Sequence, residues 1–501
     1  MNEKNTKLTP VVITTVLCSI AYISFIFNRN VWLDEAFTAT LVHADYATVL
    51  QRSMADTLPP LYNLFLKFMT DLFGYDVPVM KLASIIPMIA TMIVSAVVVR
   101  KRFGSFAAVI FNLCITFMPL MFYYGLEIRM YSLGFFFATS AGILAYEVVV
   151  DSNRRNWIAF TCFSVLAGYS HHFAFVTVGF IYLGLLIYYF FFERVNIKRW
   201  FICLMATFVL YFPCLIVTLK QLKSVSGYFS MPEVTISLFV QYMIYPFTVG
   251  FTPASILLLI AVVALLVILA VRIVHFVLSV RKTEGSLSSQ QEGEGQKSVS
   301  ADYENPIYRD GYCLCCFLIY YGVLIFGTII SKIMTANIFV DRYLFFSTGL
   351  IWLFFAISIT ALTGKIKLPA VIFCVLIGVA SYVVMFENEY GNSASEEMDY
   401  IAGQVGEGDV LYTIEEDEEL AFCLPFYTIL ATGDENLKNY EDLNDAIKAA
   451  DATDSTLWVA VMGEGAITPE GEERIKKSGR NINTAVPFEF DRYHCMLYEC
   501  N

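Results

Sequence analysis

Two adjacent carboxylates, Asp34 and Glu35, follow directly on the first long apolar stretch of the chain. A positioned carboxylate can take the proton of a hydroxyl group and turn it into a nucleophile, which typically accelerates a reaction by about 10²- to 10⁴-fold. Because the pair stands at the end of a stretch long enough to span a bilayer, we expect its chemistry at the membrane surface, on a lipid-borne substrate.

Other ionisable side chains occur at the ends of apolar stretches that are predicted to face the same side of the membrane. They are Asp56, Glu127, Arg129, His171, His172, Lys332, Asp341 and Arg342. Ionisable groups at membrane depth indicate function, although a charge at a helix end is also commonly solvated. For Asp56 and Glu127, helix capping and pairing with Arg129 explain the residues equally well. Packing at the interface is the simpler interpretation of the two histidines, whose helical positions point about 100° apart.

The composition places these residues in a membrane protein. The chain has 501 residues, of which 57% are hydrophobic and only 16% are charged, and such values exclude an ordinary soluble domain. Eleven transmembrane helices are predicted, at about 8–27, 77–99, 105–122, 130–150, 157–170, 173–192, 200–219, 253–280, 312–332, 343–362 and 369–386. A further apolar stretch at 234–249 contains Gln241, Tyr245 and Pro246 and is predicted to be interfacial or re-entrant.

Lysine and arginine placement predicts the orientation. Dense basic clusters fall in alternate loops, which are expected to be cytoplasmic, together with the N terminus. An odd number of spans then places the C-terminal region outside the cell. The long first outer loop, 28–76, includes an amphipathic stretch from Leu61 to Leu72, preceded by Pro59 and Pro60. We expect this stretch to form a helix in the membrane interface.

Charge divides the chain into two parts. Residues 387–501 contain 26 acidic and 7 basic residues, whereas the other 386 contain 19 and 26. We therefore predict a transmembrane domain over 1–390 and an acidic, extracellular α/β domain over 391–501. Strands are predicted at 409–413 and 457–462 and helices at 439–450 and 471–478. A Ser-, Gln-, Gly- and Glu-rich segment, 283–310, is predicted to be a disordered cytoplasmic linker.

The sequence does not decide whether cysteines of the C-terminal tail form a disulfide. An extracellular tail allows a disulfide between Cys495 and Cys500 or between Cys423 and Cys495. The Cys313–Cys316 spacing lies in an apolar run without a second pair, so small hydrophobic side chains in a helix are expected there rather than a metal site.

Four motifs occur in a fixed order along the chain. They are Trp32-Leu33-Asp34-Glu35-Ala36, Asp56-Thr57-Leu58-Pro59-Pro60-Leu61-Tyr62, Glu127-Ile128-Arg129-Met130-Tyr131-Ser132 and Asp341-Arg342-Tyr343-Leu344. Together they resemble the C-type integral-membrane glycosyltransferases, in the branch of the protein O-mannosyltransferases and the lipid A aminoarabinose transferases. The resemblance covers roughly residues 8–390, and more loosely the tail.

This resemblance implies an inverting transfer of a sugar, a hexose or a pentose, from a polyprenyl-phosphate carrier to an acceptor at the outer face of the cell membrane. The acidic residue that serves the family as base matches Asp34, and Glu35 is expected to orient the acceptor or to bind a divalent cation with it. Arg342, with help from Lys332 and Arg129, is expected to hold the donor phosphate. Asp56, Glu127, Tyr131, His171 and His172 are expected to bind or support the substrates.

No cofactor is required by this interpretation, although Mg²⁺ or Mn²⁺ bound by Asp34 and Glu35 stays open. The expected partners are the lipid-linked donor, membrane lipid and an envelope acceptor, which is a protein, a glycan or a lipid, and no nucleic acid is expected. Two alternatives remain. One is a polysaccharide polymerase or ligase with a diphosphate-linked donor. The other is a lipid or sugar transporter. This alternative is disfavoured because the charges are concentrated at one surface and the two halves of the chain show no repeat.

Overall fold

A computed structural model gives the architecture of the chain. It describes residues 7–118, 120–225, 233–247, 267–274, 277–278, 306–334, 337–360, 364–391, 394–413, 418–433, 439–440, 443–463, 469–490 and 493–501. The chain forms two compact units. The first comprises Met1–Ser24, Ser53–Tyr62 and Ser84–Val384, and the second comprises Phe25–Arg52, Asn63–Ala83 and Met385–Asn501.

Helices dominate both units. In chain order they are α1 Leu8–Ile23, α2 Leu33–Val42, α3 Tyr46–Ala55, α4 Leu61–Phe73, α5 Val77–Val94, α6 Arg100–Phe103, α7 Ser105–Phe117, α8 Met121–Leu126, α9 Tyr131–Val150, α10 Arg154–Ser170, α11 His172–Phe191, α12 Ile197–Val225, α13 Ile236–Ile244, α14 Pro306–Ile333, α15 Phe345–Thr360, α16 Gly364–Tyr390, α17 Ala394–Ala402, α18 Glu418–Thr432, α19 Leu443–Thr453 and α20 Pro469–Lys477. A π-helical turn, Ser95–Val99, joins α5 to α6, and short 3₁₀ turns cover Arg194–Asn196, Tyr245–Phe247 and Asp341–Leu344.

The prediction of a polytopic helical membrane protein is confirmed. In the described part of the chain, seven helices are long and apolar enough to cross a membrane, and each matches a predicted span: Val77–Phe103, Tyr131–Val150, His172–Phe191, Arg194–Gln221, Tyr308–Ile333, Asp341–Thr360 and Lys367–Ala402. The spans predicted at 8–27, 105–122 and 157–170 form shorter helices of 16, 13 and 17 residues. Most of the span predicted at 253–280 lies outside the described residues.

Two helices, α9 and α15, form the centre of the first unit, since most of their side chains are buried. Their contact depends on small residues that allow close approach of the backbones. A Cβ on Gly349 would lie 2.1 Å from Thr139 Oγ1, and a Cβ on Gly134 would lie 2.6 Å from the Phe346 ring. By contrast, α1 and α12 expose many large apolar side chains, as expected of surfaces in contact with lipid.

The second unit contains α2, most of α3 and most of α4 together with the C-terminal region. The amphipathic helix expected from Leu61 to Leu72 is α4, and its Leu66 and Met69 are buried. The ring of Phe37 on α2 packs edge-on against Phe422 on α18, with ring centroids 5.5 Å apart.

The C-terminal region contains the predicted α/β fold. Its strands are β1 Val410–Thr413, β2 Asn439–Tyr440, β3 Leu457–Gly463, β4 Ile482–Phe490 and β5 Tyr493–Cys500. They form one sheet in the order β2-β1-β3-β5-β4, parallel from β2 to β3 and antiparallel from β3 to β4. The predicted strands 409–413 and 457–462 correspond to β1 and β3. The predicted helix 439–450 begins later, at Leu443, because Asn439 and Tyr440 pair with β1.

Two further predictions are wrong in part. All twelve cysteines are free, so neither tail disulfide exists. Cys495 and Cys500 are five residues apart on one strand, which corresponds to about 17 Å at the usual rise and is well beyond the Cα separation that a disulfide bridges. The Cys423 thiol lies 3.6 Å from the carbonyl oxygen of Val31. Residues 306–310 of the predicted linker form the first turn of α14, which Pro306 opens at a position that suits proline. The rest of the linker, 283–305, lies outside the described residues.

We expect a methyl group at Gly349 to force α9 and α15 apart. Gly349→Ala should lower the free energy of unfolding by about 1–3 kcal/mol, the usual cost of overpacking, and so lower the melting temperature in detergent. A second substitution, Thr139→Ala, should recover part of the loss because it removes the atoms that clash. Gly179→Ala is the control, since a Cβ there meets nothing within 4 Å. Equal melting temperatures for the two glycine variants would contradict the close packing.

Candidate active site

The two carboxylates of the first motif lie in the first turn of α2. Trp32 precedes the helix in an extended conformation, and its backbone N–H donates a hydrogen bond to Glu35 Oε2 at 3.2 Å. Negative side chains in this turn are also stabilised by the helix dipole. Glu35 is buried and Asp34 is half-buried. Glu35 is therefore fixed against the helix start, and Asp34 keeps part of its surface accessible.

A buried lysine outside the four sequence motifs balances the charge near Glu35. Lys81 is only 3% exposed, donates a hydrogen bond to Asn28 Oδ1 at 2.9 Å, and has Glu389 Oε2 3.7 Å from its ammonium nitrogen. Glu35 also lies within electrostatic range of this ammonium group. Buried ions require such partners because the loss of hydration is otherwise uncompensated. In the sequence, the indication of this site is the position of Lys81 inside an otherwise apolar run.

The segment leading into α2 is held by the C-terminal region of the same unit. Tyr427 donates a hydrogen bond from its hydroxyl to the Arg29 carbonyl at 2.8 Å, and the Ser395 N–H donates to Asn30 Oδ1 at 3.0 Å. Arg29 also pairs with Asp399 at 3.0 Å. The acidic tail is therefore a support for the carboxylate helix, a role that the sequence did not indicate.

The first unit contains a cluster of aromatic rings around cationic groups. Tyr131 is 1% exposed and lies within electrostatic range of Arg342, Arg129 and Glu127. Its ring is 4.9 Å from that of Tyr124. Arg342 follows Asp341, whose Oδ1 accepts the Arg342 backbone N–H at 2.7 Å. The structure thus brings together three of the residues predicted from the sequence, Glu127, Arg129 and Tyr131, with Arg342.

His171 lies at the junction of α10 and α11 beside this cluster. It is 1% exposed, and its ring stacks on Phe346 at a centroid distance of 4.3 Å and lies 4.9 Å from the Tyr343 ring. Burial lowers the pKa of His171 well below its ordinary value, and the positive charges of His172, Arg129 and Arg342 lower it further. His171 is therefore a neutral imidazole near pH 7.

The hydrogen bonds of His171 identify its tautomer. Nδ1 accepts the backbone N–H of Phe173 at 3.0 Å and so caps α11. A neutral ring that accepts at Nδ1 carries its proton on Nε2. In the described part of the chain, Nε2 is buried and has no hydrogen-bond partner. A buried donor without an acceptor is unfavourable by about 1–3 kcal/mol, so this N–H is available to a ligand.

His172 and Asp56 form a different arrangement in the same unit. His172 Nε2 lies 3.1 Å from the Thr57 carbonyl oxygen, and its Nδ1 lies 3.4 Å from the Thr218 hydroxyl. Gln221 donates a short hydrogen bond to the Asp56 carbonyl oxygen. These contacts anchor the Asp56-Thr57 segment to α11 and α12 and leave the half-buried Asp56 carboxylate at its turn. Although the two histidines are adjacent, their surroundings are thus quite different.

Glu127 and its neighbours are fixed through the backbone. Ser84 donates its hydroxyl to the Glu127 carbonyl at 2.7 Å, and Tyr62 lies 2.7 Å from the same serine hydroxyl. The Arg129 N–H donates to the Glu127 carbonyl at 2.6 Å. The tight turn before α9 therefore holds Glu127 and Arg129 in place.

Two sequence-based expectations find less support in the geometry. Lys332 lies exposed near the end of α14, and no contact in the described residues connects it with the aromatic cluster. For a metal, no group of three or more His, Cys, Asp or Glu side chains in the described part of the chain is arranged to hold an ion. Asp34 and Glu35 alone do not form such a group, because two adjacent carboxylates need further oxygen ligands to hold Mg²⁺ or Mn²⁺.

The fold and these residues define a polytopic helical membrane protein with an appended α/β region and an aromatic, cationic cluster. Comparison with solved structures identifies proteins of the same fold. ArnT from Cupriavidus metallidurans in the apo state matches with a TM-score of 0.63 and 11% identity, over 97% of each chain. The same protein bound to undecaprenyl phosphate matches with a TM-score of 0.59 and 12% identity, again over 97% of each chain. The fold expected from the sequence resemblance is therefore confirmed.

Other comparisons add little. An Archaeoglobus fulgidus oligosaccharyltransferase complex with zinc and sulfate matches with a TM-score of 0.43 and 11% identity, over 89% of this chain and 67% of that one, which is too weak a likeness to carry an argument. No protein-family model and no curated protein matches the chain.

Loss of the buried ammonium group should destabilise the second unit. Lys81→Met leaves Glu35 and Glu389 without their cation, and the removal of one partner from a buried ion pair typically costs about 3–5 kcal/mol. We expect a clearly lower melting temperature or a lower yield of folded protein. Lys67→Met is the matched control, because the Lys67–Asp71 pair joins partly exposed groups one helical turn apart, and such pairs contribute about 1 kcal/mol or less. Equal effects of the two variants would contradict the structural role of Lys81.

Proposed function

We propose that the protein is a glycosyltransferase that moves a sugar, with inversion, from a polyprenyl-phosphate carrier to an acceptor hydroxyl at the outer face of the cell membrane. The observation that carries the proposal is the fold shared with ArnT over nearly the whole chain, together with the ArnT structure that holds undecaprenyl phosphate. The cationic, aromatic cluster of the first unit supports the same donor class, since a phosphate monoester needs positive charge and hydrogen-bond donors.

Asp34 acts as the general base in this proposal. Its carboxylate takes the proton of the acceptor hydroxyl as the acceptor oxygen attacks the anomeric carbon, and the bond from that carbon to the phosphate oxygen breaks. The sugar carbon carries positive charge in the transition state, so nearby carboxylates stabilise it. Glu35, held by the Trp32 N–H, orients Asp34 and the acceptor.

Arg342 and Arg129 hold the departing polyprenyl phosphate, whose negative charge grows as the bond breaks. Because the His171 side chain is neutral and carries its proton on Nε2, it supplies a hydrogen bond to a phosphate oxygen without adding a third positive charge. Tyr131 and Glu127 position the two arginines, and His172 and Asp56 shape the neighbouring turn. Lys332, at the exposed end of α14, contributes to attraction of the anionic donor rather than to direct contact. No step requires a metal ion.

The donor separates this proposal from its alternatives. Purified protein should be assayed with polyprenyl-phosphate sugars, with diphosphate-linked oligosaccharides and, in proteoliposomes, for transport without chemistry. Transfer from a monophosphate donor to a hydroxyl-bearing envelope acceptor supports the proposal. Activity confined to diphosphate donors indicates a polymerase or ligase, and accumulation of unreacted substrate indicates a transporter; either result contradicts the proposal.

Removal of the proposed base should abolish transfer without loss of the protein. Asp34→Asn keeps the size of the side chain and the helix start but cannot accept the proton, so we expect kcat to fall by about 10²- to 10⁴-fold. The melting temperature and the membrane level should be unchanged. Asp71→Asn on α4 is the control for loss of one carboxylate in the same outer loop. Full activity of Asp34→Asn would show that another group is the base.

We expect His171→Asn to weaken use of the donor selectively. Asparagine is also a good helix cap, so the hydrogen bond to the Phe173 N–H can be retained, while the Nε2–H is lost. A hydrogen bond to a charged group contributes about 1.5–3 kcal/mol, so kcat/KM for the donor should fall roughly 10- to 150-fold. The pH profile should keep its shape above pH 7, because burial lowers the pKa of His171 below its ordinary value. His494→Asn on the exposed part of β5 is the control, and equal kcat/KM in the two variants would remove His171 from the phosphate site.

A further inference from the structure

An apolar cavity of about 300 Å³ lies inside the first unit, apart from the residues assigned to chemistry. Its walls come from α9, α11 and α14, and Leu350 of α15 closes one side. The wall residues include Gly142, Ile181, Gly184, Leu185 and Tyr312. The volume is at the lower end of the range for small-molecule sites, and the lining is almost entirely apolar, as in such sites.

The cavity lies in the half of the bundle opposite His171. Gly184 is twelve residues beyond the start of α11, which corresponds to about 18 Å along the helix axis. The lining continues to Tyr188 and Phe192 at the far end of that helix and to Tyr308 at the start of α14. On the orientation predicted from the sequence, this is the cytoplasmic half of the membrane. Because the lining is almost entirely apolar, the cavity suits a hydrocarbon chain better than a polar solute.

Polar groups occur where the cavity reaches the end of the helices. Tyr188 donates a hydrogen bond from its hydroxyl to Glu193 Oε2 at 3.2 Å. Arg309, next to the lining residue Tyr308, binds the Thr360 hydroxyl through one terminal nitrogen and lies within electrostatic range of Tyr146, another lining residue. Its Nε is buried and has no hydrogen-bond partner in the described part of the chain. A guanidinium with a spare donor at this end favours an anionic group.

We propose that this cavity binds one acyl chain of an anionic glycerophospholipid, with the lipid phosphate at Arg309. The chain would fill the apolar space between α9, α11 and α14, and the headgroup phosphate would accept the free N–H of the guanidinium. This site is separate from the proposed donor site and does not depend on the proposed reaction. Since the lipid binds the folded bundle and not the unfolded chain, it stabilises the fold.

Glycine substitutions on α11 test the proposal with a matched pair. A Cβ on Gly184 or on Gly179 meets nothing within 4 Å, so neither substitution creates a clash at the Cβ. Only Gly184 lines the cavity. Gly184→Leu should therefore fill the space that the acyl chain takes, whereas Gly179→Leu changes the same helix by the same residue and leaves the cavity open.

The readout is retention of phosphatidylglycerol by the purified protein in native mass spectrometry, with the melting temperature measured with and without the added lipid. We expect Gly184→Leu to retain about tenfold less lipid than Gly179→Leu, equivalent to about 1.4 kcal/mol, and to lose the rise in melting temperature that lipid gives the wild type. Equal retention and equal lipid response in the two variants would overturn the site.

Arg309→Gln tests the headgroup independently, should the leucine variant fold poorly. The wild type should retain phosphatidylglycerol several-fold better than phosphatidylethanolamine, and Arg309→Gln should remove that preference. No preference in the wild type, or an unchanged preference in the variant, would contradict the assignment of the phosphate to Arg309. Displacement of the bound phospholipid by undecaprenyl phosphate at equal concentration would show that the cavity takes a polyprenyl chain, and would overturn the chosen occupant.

Discussion

The need to compensate charge in an apolar environment governs the arrangement of this protein. A buried ion is stable only beside partners that replace its hydration. In the second unit, Lys81 meets this need with Asn28 and Glu389, and it lies within range of Glu35. In the first unit, Arg129 and Arg342 lie near the buried His171, which as a neutral ring with an unused donor avoids a further charge. An anionic ligand is the partner that this cluster is suited to receive.

The contacts inside the second unit give the acidic C-terminal region a structural role. Its helices hold residues 29–31 through three contacts. The Tyr427 hydroxyl and the Cys423 thiol contact the Arg29 and Val31 carbonyls, and the Ser395 N–H donates to the Asn30 side chain. Asp34 and Glu35 follow only a few residues later in the chain. The acidic region therefore fixes the chain segment that leads into α2, and loosening it should affect the geometry of the proposed base.

Much of the fold follows from patterns that are local in the sequence. Apolar runs long enough to span the membrane predict the long helices. A stripe of polar residues at helical spacing predicts α4, and short apolar runs in the tail predict β1 and β3. The residues of the aromatic cluster are predictable because Glu127, Arg129 and Arg342 stand at the ends of apolar stretches and within the four motifs. Lys81 is not, because its partners, Asn28 and Glu389, are distant in the sequence, and only folding brings them to its ammonium group. The tautomer of His171 and the free Nε of Arg309 depend on hydrogen bonds that no sequence pattern encodes.

Recognition of a lipid-carrier phosphate by the first unit can be observed by determining the structure of the purified protein with undecaprenyl phosphate. We expect phosphate density within hydrogen-bond distance of the Arg342 guanidinium and His171 Nε2, with the prenyl chain leading into the membrane. Phosphate density at the opposite end of α11, or a complex in which neither side chain touches the phosphate, would contradict it.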